Sequence, residues 1–196
     1  RKQGRLKVIP MRGWKRSMLW PETGLRWIAT SPYIPSFSSV LGYAMTGLGA
    51  QEGKFSHGIG TPYPFRLLTH KQLSSDTLIE RLQALDISGL DYKIIRTRNT
   101  KGDTVSGVYI GINNWGTLKP TELSFYMMQM VIELESPNPF QTTTRSDLFN
   151  KHVGSTQWWS ELTQNKRRPR IQYFLNLWKK QHQKYKEKIE NYLIYN

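Results

Sequence analysis

Hydrophobic positions along the chain switch between two periods, and the switch points mark its elements. From Ser36 to Met45 the apolar residues Phe37, Val40, Leu41 and Ala44 recur at steps of three and four, a helical face behind a serine suited to capping. The pattern returns over 74–89, where Leu78, Leu82 and Leu85 share a face and Thr77 with Glu80 has the spacing of a capping box. Two stretches rich in β-branched and aromatic residues follow, 92–98 and 105–113. The Asn, Gly and Asp between them suit a hairpin turn. Pro120 and Thr121 open a helix that is apolar on most sides, which predicts burial, and Pro137 and Pro139 close it. Its methionines predict core filling. Shorter helices are predicted over 146–154 and 155–165. A last one follows Pro169, with Ile171, Phe174, Leu175, Trp178, His182, Tyr185, Ile189 and Tyr192 as an inner stripe and lysines around most of the rest. Residues 6–11 predict a short strand. The sum is an α+β single domain: a small, largely antiparallel sheet packed by helices, with a long C-terminal amphipathic helix.

Two stretches resist both periods. Pro32 and Pro35 push the residues before them out of the helical region, so 31–36 is extended. Residues 49–65, GAQEGKFSHGIGTPYPF, are too dense in Gly and Pro for regular structure and predict a loop that turns the chain or holds a site.

Charge changes the picture only once it is located. The 196 residues carry a formal net charge of +14, with the excess confined to residues 1–26 and 166–196 while the middle is neutral. A nucleic-acid module spreads basic residues over a folded face with exposed aromatics. Two basic end segments do not have that pattern, and nucleic acid is not the expected partner; attraction to anionic wall or membrane polymers fits the charge equally well. The chain has no cysteine, which excludes disulfides and thiol chemistry, and no apolar run long enough to predict a membrane span. It starts with Arg rather than Met and shows no signal peptide, the expectation for a processed chain or a piece of a longer one.

Candidate chemistry is sparse. His57, His70, His152 and His182 lie far apart and form no zinc-binding spacing, so no metal is expected. No phosphate-binding glycine loop opens a helix. Among the carboxylates, Asp76, Glu80, Asp86, Asp103, Glu122, Glu133 and Glu135 are assigned to helix surfaces or turns. Glu52 differs, standing in the Gly-rich loop close to Ser56, His57 and aromatic Phe55, Tyr63 and Phe65. Partial burial there would raise a carboxyl's pKa and suit it to general acid work; a solvated loop Glu is the alternative.

The order of these motifs resembles the C-terminal domain of the NamZ-type exo-β-N-acetylmuramidases, a family of peptidoglycan hexosaminidases. The resemblance is carried by Gly13-Trp14-Lys15-Arg16, Trp27, Ser31-Pro32-Tyr33-Ile34-Pro35, then Glu52-Gly53, Ser56-His57-Gly58-Ile59-Gly60-Thr61 and Pro64-Phe65, and by the closing helix ending in Tyr-Leu-Ile-Tyr. It implies that residues 1–196 form the C-terminal domain, with a Rossmann-like N-terminal domain outside this chain and the active site in the cleft between the two. It further implies Glu52 and His57 as catalytic candidates, with Trp27, Ser31, Tyr33, Ser56, Gly60 and Thr61 lining the sugar. The partners implied are muramyl glycans and the N-terminal domain in cis, with no cofactor and a secreted or periplasmic location. The loop departs from the family pattern at two places: His57 stands where the family has a second Glu, and Ile59 where it has Arg. These departures support the alternative of a non-catalytic, glycan-binding descendant.

Overall fold

A computed structural model of the chain describes residues 4–48, 52–164 and 168–195. Its regular core begins with α1 (Phe37–Gly42), which continues directly into a π-helical turn at Tyr43–Gly47. Ser36 caps α1 as its sequence predicts, accepting a hydrogen bond from the Ser39 amide. Then come β1 (Phe55–Ser56), β2 (Leu67–His70), α2 (Ser75–Gln83), β3 (Leu90–Arg98) and β4 (Thr104–Ile112). The remainder is helical: α3 (Pro120–Leu134), α4 (Pro139–Thr142), α5 (Ser146–Val153), α6 (Thr156–Thr163) and α7 (Ile171–Ile189).

The four strands form one antiparallel sheet in the order β1-β2-β4-β3. Its backbone is the β3–β4 hairpin, whose register runs from Leu90 opposite Ile112 to Arg98 opposite Thr104. The turn closes because the Asn99 side-chain oxygen accepts the amides of both Lys101 and Asp103, while Gly102 takes a φ of +89°. α2 lies across β2, β3 and β4, burying Leu78 and Leu82 against Leu68, Val108 and Ile110. Its cap is Ser74, which accepts from the Thr77 amide, so the predicted Thr77–Glu80 capping box starts three residues too late.

The helical half centres on Trp158, fully buried on α6. Its indole N–H donates to the Met128 sulfur at 3.0 Å and its ring meets Phe125, Phe174 and Trp178. Met127, Met128 and Met130 of α3 fill the core, as their clustering predicts. Glu161, also buried, forms a fork with Arg170 at 2.7 Å and accepts that residue's amide, fixing where α7 starts.

Two further expectations fail. Residues 6–11 form no strand: Leu6, Val8, Ile9 and Met11 are exposed and pair with nothing extended, because no sheet edge lies beside them. The stripe on α7 packs on the core only as far as Trp178; His182, Tyr185 and Tyr192 are exposed and Ile189 is half-buried, because the second half of the helix runs past the core. The overhang leads back to the N-terminal arm. The Tyr195 hydroxyl accepts the Met11 amide at 2.6 Å and its ring meets Trp14 edge-on.

Candidate functional site

Residues 52–65 leave the π-helical turn, add β1 to the sheet edge and fold back into β2. The stretch is braced at four places. At its start, the Lys54 amide donates to Glu135 Oε1 at 2.7 Å, and Gly53 packs so closely on Val131 of α3 that no Cβ fits. In the middle, Phe55 and Ser56 pair with His70 and Thr69. At the bend, Gly58 has a φ of +69°, and a Cβ there would stand 2.5 Å from the Tyr63 carbonyl oxygen. The Thr61 amide and hydroxyl both donate to the Gly58 carbonyl, and the Gly60 carbonyl accepts from Thr100 in the β3–β4 turn. At the end, the Phe65 amide donates to the His57 carbonyl, and the Phe65 carbonyl accepts the buried Thr46 hydroxyl.

Inside this frame His57 is enclosed. Both ring nitrogens are buried without a hydrogen-bond partner among the described residues, and the ring lies 6.5 Å from that of Phe65. Burial pushes its pKa down to about 4, so the imidazole is neutral at neutral pH. Glu52, half-buried just before β1, has no hydrogen-bond or ion-pair partner among the described residues.

The sequence-expected residues fall into two groups. Glu52, Ser56, His57, Gly60 and Thr61 share the braced loop, where Thr61 spends its hydroxyl on the turn and Ser56 keeps its side chain exposed. Trp27, Ser31 and Tyr33 belong to the N-terminal arm. The Trp27 ring meets Trp20 and Phe37, and its indole N–H donates to the Ile34 carbonyl at 3.4 Å. The Ser31 hydroxyl accepts the Tyr33 amide, and the Tyr33 ring is exposed. α1 joins the groups, because Phe37 touches Trp27 while Ser38 accepts a hydrogen bond from Arg66 at the loop's end.

Three residues that sequence reasoning passed over hold the loop. Arg66 is buried. It donates through Nε to the Ile110 carbonyl at 2.6 Å and lies 5.1 Å from the centre of the Tyr109 ring. Burial lowers its pKa, with Tyr109 and Asp91 opposing. His70 and Glu135 form a buried couple beneath β1. His70 Nδ1 accepts the Gln72 amide, which leaves the proton on Nε2, 3.6 Å from Glu135 Oε1. Burial lowers the His70 pKa against the pull of Glu135. Glu135, expected on a helix surface or turn, is instead buried: it stands four residues after buried Val131 on the apolar side, and that spacing is the signal of its burial.

Comparisons with known proteins agree with this architecture. The chain is 25% identical over 194 residues to the peptidoglycan beta-N-acetylmuramidase NamZ of Bacillus subtilis (strain 168), covering 97% of this chain and 45% of that protein. It superposes with a TM-score of 0.75 on the crystal structure of a DUF1343 family protein from Bacteroides fragilis NCTC 9343, at 25% identity, over 94% of this chain and 49% of that one. The chain thus spans about half the length of the relatives it matches. Residues 41–195 match the family model described as exo-beta-N-acetylmuramidase NamZ, C-terminal, and residues 1–38 match its N-terminal counterpart. The chain therefore carries both family-model parts and not only a C-terminal domain, and the change falls where the exposed arm gives way to α1. With 155 of its residues under the C-terminal model, the chain belongs to the exo-beta-N-acetylmuramidase NamZ family.

Proposed function

We propose that the chain supplies the C-terminal half of a peptidoglycan hydrolase that releases N-acetylmuramic acid from non-reducing ends, with loop 52–65 as one wall of an inter-domain cleft. Family membership carries this reading. The loop's bracing supports it, because a site must be held in place before binding energy can favour a transition state.

In this reading Glu52 is the working carboxylate: half-buried, without a protein partner among the described residues, and mounted beside a fixed strand, it is free to hold a sugar hydroxyl or move a proton. His57 is neutral at neutral pH, so it serves as a hydrogen-bonding group and not as an imidazolium acid. Tyr33 and Trp27 on the arm and Ser56 on the loop contribute stacking and hydroxyl contacts, while Gly60 and Thr61 shape the backbone that faces the sugar. Acid–base cleavage of this kind asks for a second carboxylate or a base, and the N-terminal half supplies it. A peptidoglycan substrate implies a secreted or periplasmic location, and the 196 residues alone are expected to be inactive.

The test is release of N-acetylmuramic acid from a muramyl disaccharide by the intact protein containing both halves, with Glu52→Gln beside it. A loss of roughly 100-fold or more with unchanged folding supports the role. Equal activity moves the chemistry to the other half. The second reading, a glycan-binding descendant, is favoured by His57 and Ile59 standing where the family has Glu and Arg; binding of the disaccharide without any sugar release by the intact protein selects it.

A further inference from the structure

One cavity among the described residues stands apart from loop 52–65. It lies at the other end of α3, where the first turn of that helix meets α7 and the corner between α5 and α6. Thr121 on its wall and Glu135 under the loop are separated by fourteen residues, about 20 Å of helix at 1.5 Å per residue. Its volume is about 500 Å³, within the ordinary range for small-ligand sites.

The lining has a particular chemistry. Its floor is a pair of aromatic rings, Phe125 and Trp178, with centroids 4.2 Å apart; Trp178 is only partly covered by the core. Around them stand Thr121, Thr156, Gln157 and Gln181, all exposed, and none of these four side chains has a hydrogen-bond partner among the described residues. No lining residue is ionisable, in a chain whose formal charge is +14. A phosphate, carboxylate or acidic-polymer site would recruit some of that abundant positive charge. An apolar ligand would not call for four free hydroxyl and amide groups, which are costly to strip of water without replacement. Aromatic planes for a face of C–H groups, ringed by neutral donors and acceptors, fit an uncharged sugar. The two glutamine amides add paired donor–acceptor groups of the kind that match an acetamido substituent.

We propose that this cavity is an accessory binding site for an uncharged N-acetylhexosamine unit, seated on Trp178 and held by Gln157 and Gln181. Resting on the peptidoglycan reading above, it adds a second foothold on the same polymer, roughly 20 Å from the loop along α3. Two weak sites on one chain of sugars raise the local concentration of glycan at the cleft without any new contact there.

The probe is triacetylchitotriose, which contains no muramic acid and so reports on this cavity independently of the hydrolase reading. Isothermal titration with the 196-residue chain is compared with the Gln157→Ala/Gln181→Ala double variant, whose changes are confined to exposed side chains. Binding weakened roughly tenfold or more in the variant, with an unchanged circular dichroism spectrum and amide shifts at Thr121, Gln157 and Gln181 in the parent, is the expected result. No binding up to millimolar concentrations, equal binding by both proteins, or shifts confined to residues 52–65 would each overturn the proposal. None of those outcomes bears on muramic acid release by the intact protein, which tests the hydrolase reading separately.

Discussion

The enclosure of His57 makes the stability of this chain depend on acidity in a calculable way. In the unfolded chain the imidazole titrates near its ordinary 6.5; in the fold, burial holds it at about 4. Between those values the unfolded state binds the extra proton, so stability falls as pH falls through that window. At pH 7 the folded imidazole is neutral and the unfolded one is only about one-quarter protonated, so the cost is a few tenths of a kcal/mol or less. At pH 5 the unfolded side chain is nearly fully protonated and the folded one is about one-tenth protonated, which costs the fold about 2 kcal/mol. Below pH 4 the cost levels off at about 3 kcal/mol. His57→Gln removes this dependence while keeping a neutral polar side chain. Urea unfolding of parent and variant at pH 7 and pH 5, at one ionic strength, isolates the effect, because carboxylates common to both proteins cancel in the difference. The stability gap is expected to move by about 2 kcal/mol in the variant's favour on acidification. A gap that stays constant within about 0.5 kcal/mol, or a direct NMR titration of His57 between pH 6 and 7, refutes the enclosure and restores an imidazolium to the loop.

Other perturbations test the frame around it. Glu135→Ala strands the Lys54 amide and removes the carboxylate that lies 3.6 Å from His70 Nε2, and a loss of about 1–3 kcal/mol is expected in chemical unfolding; Glu135→Gln, which keeps an acceptor for Lys54, should cost about 1 kcal/mol or less. A loss below about 0.5 kcal/mol for the alanine variant means the couple is not what holds β1. Gly58→Ala combines a left-handed backbone with a clash against the Tyr63 carbonyl and should cost about 2–4 kcal/mol by the same assay. Arg66→Met keeps the aliphatic stem but drops the bonds to Ile110 and Ser38. A loss of about 1–3 kcal/mol is expected, with faster hydrogen exchange at the Thr46 and Phe65 amides.

Most of the fold was legible in the sequence, for identifiable reasons. The β3–β4 hairpin has a turn whose Asn, Gly and Asp dictate its geometry locally, and α3 has a run of apolar residues that only burial explains. Ser36 announced α1. What was not legible depends on partners distant in sequence. β1 is two residues long and exists because His70 and Thr69 lie beside it; nothing in Phe55 or Ser56 announces a strand. Residues 6–11 have the composition of a strand and no edge to join. α7 keeps its apolar stripe beyond Trp178, but a stripe states only what a helix is able to cover. The site divides the same way. The loop and Glu52 stood out by composition, whereas Arg66, His70 and Glu135 matter through contacts spanning 28 to 81 residues, which no local pattern encodes.

The junction of Tyr195 with Met11 and Trp14 has a kinetic meaning. It joins positions 184 residues apart, so its formation in an unstructured chain would require closing nearly the whole polypeptide into a ring, with a correspondingly large loss of entropy. One hydrogen bond and one edge-on ring contact cannot offset that. The clasp becomes favourable only after the sheet and helices have brought the two ends together, which makes it a late event in folding. By the same logic it opens first. A protease should reach the arm between the clasp and α1 while the core is still intact, and the arm's release should leave α7 anchored through Phe174 and Trp158.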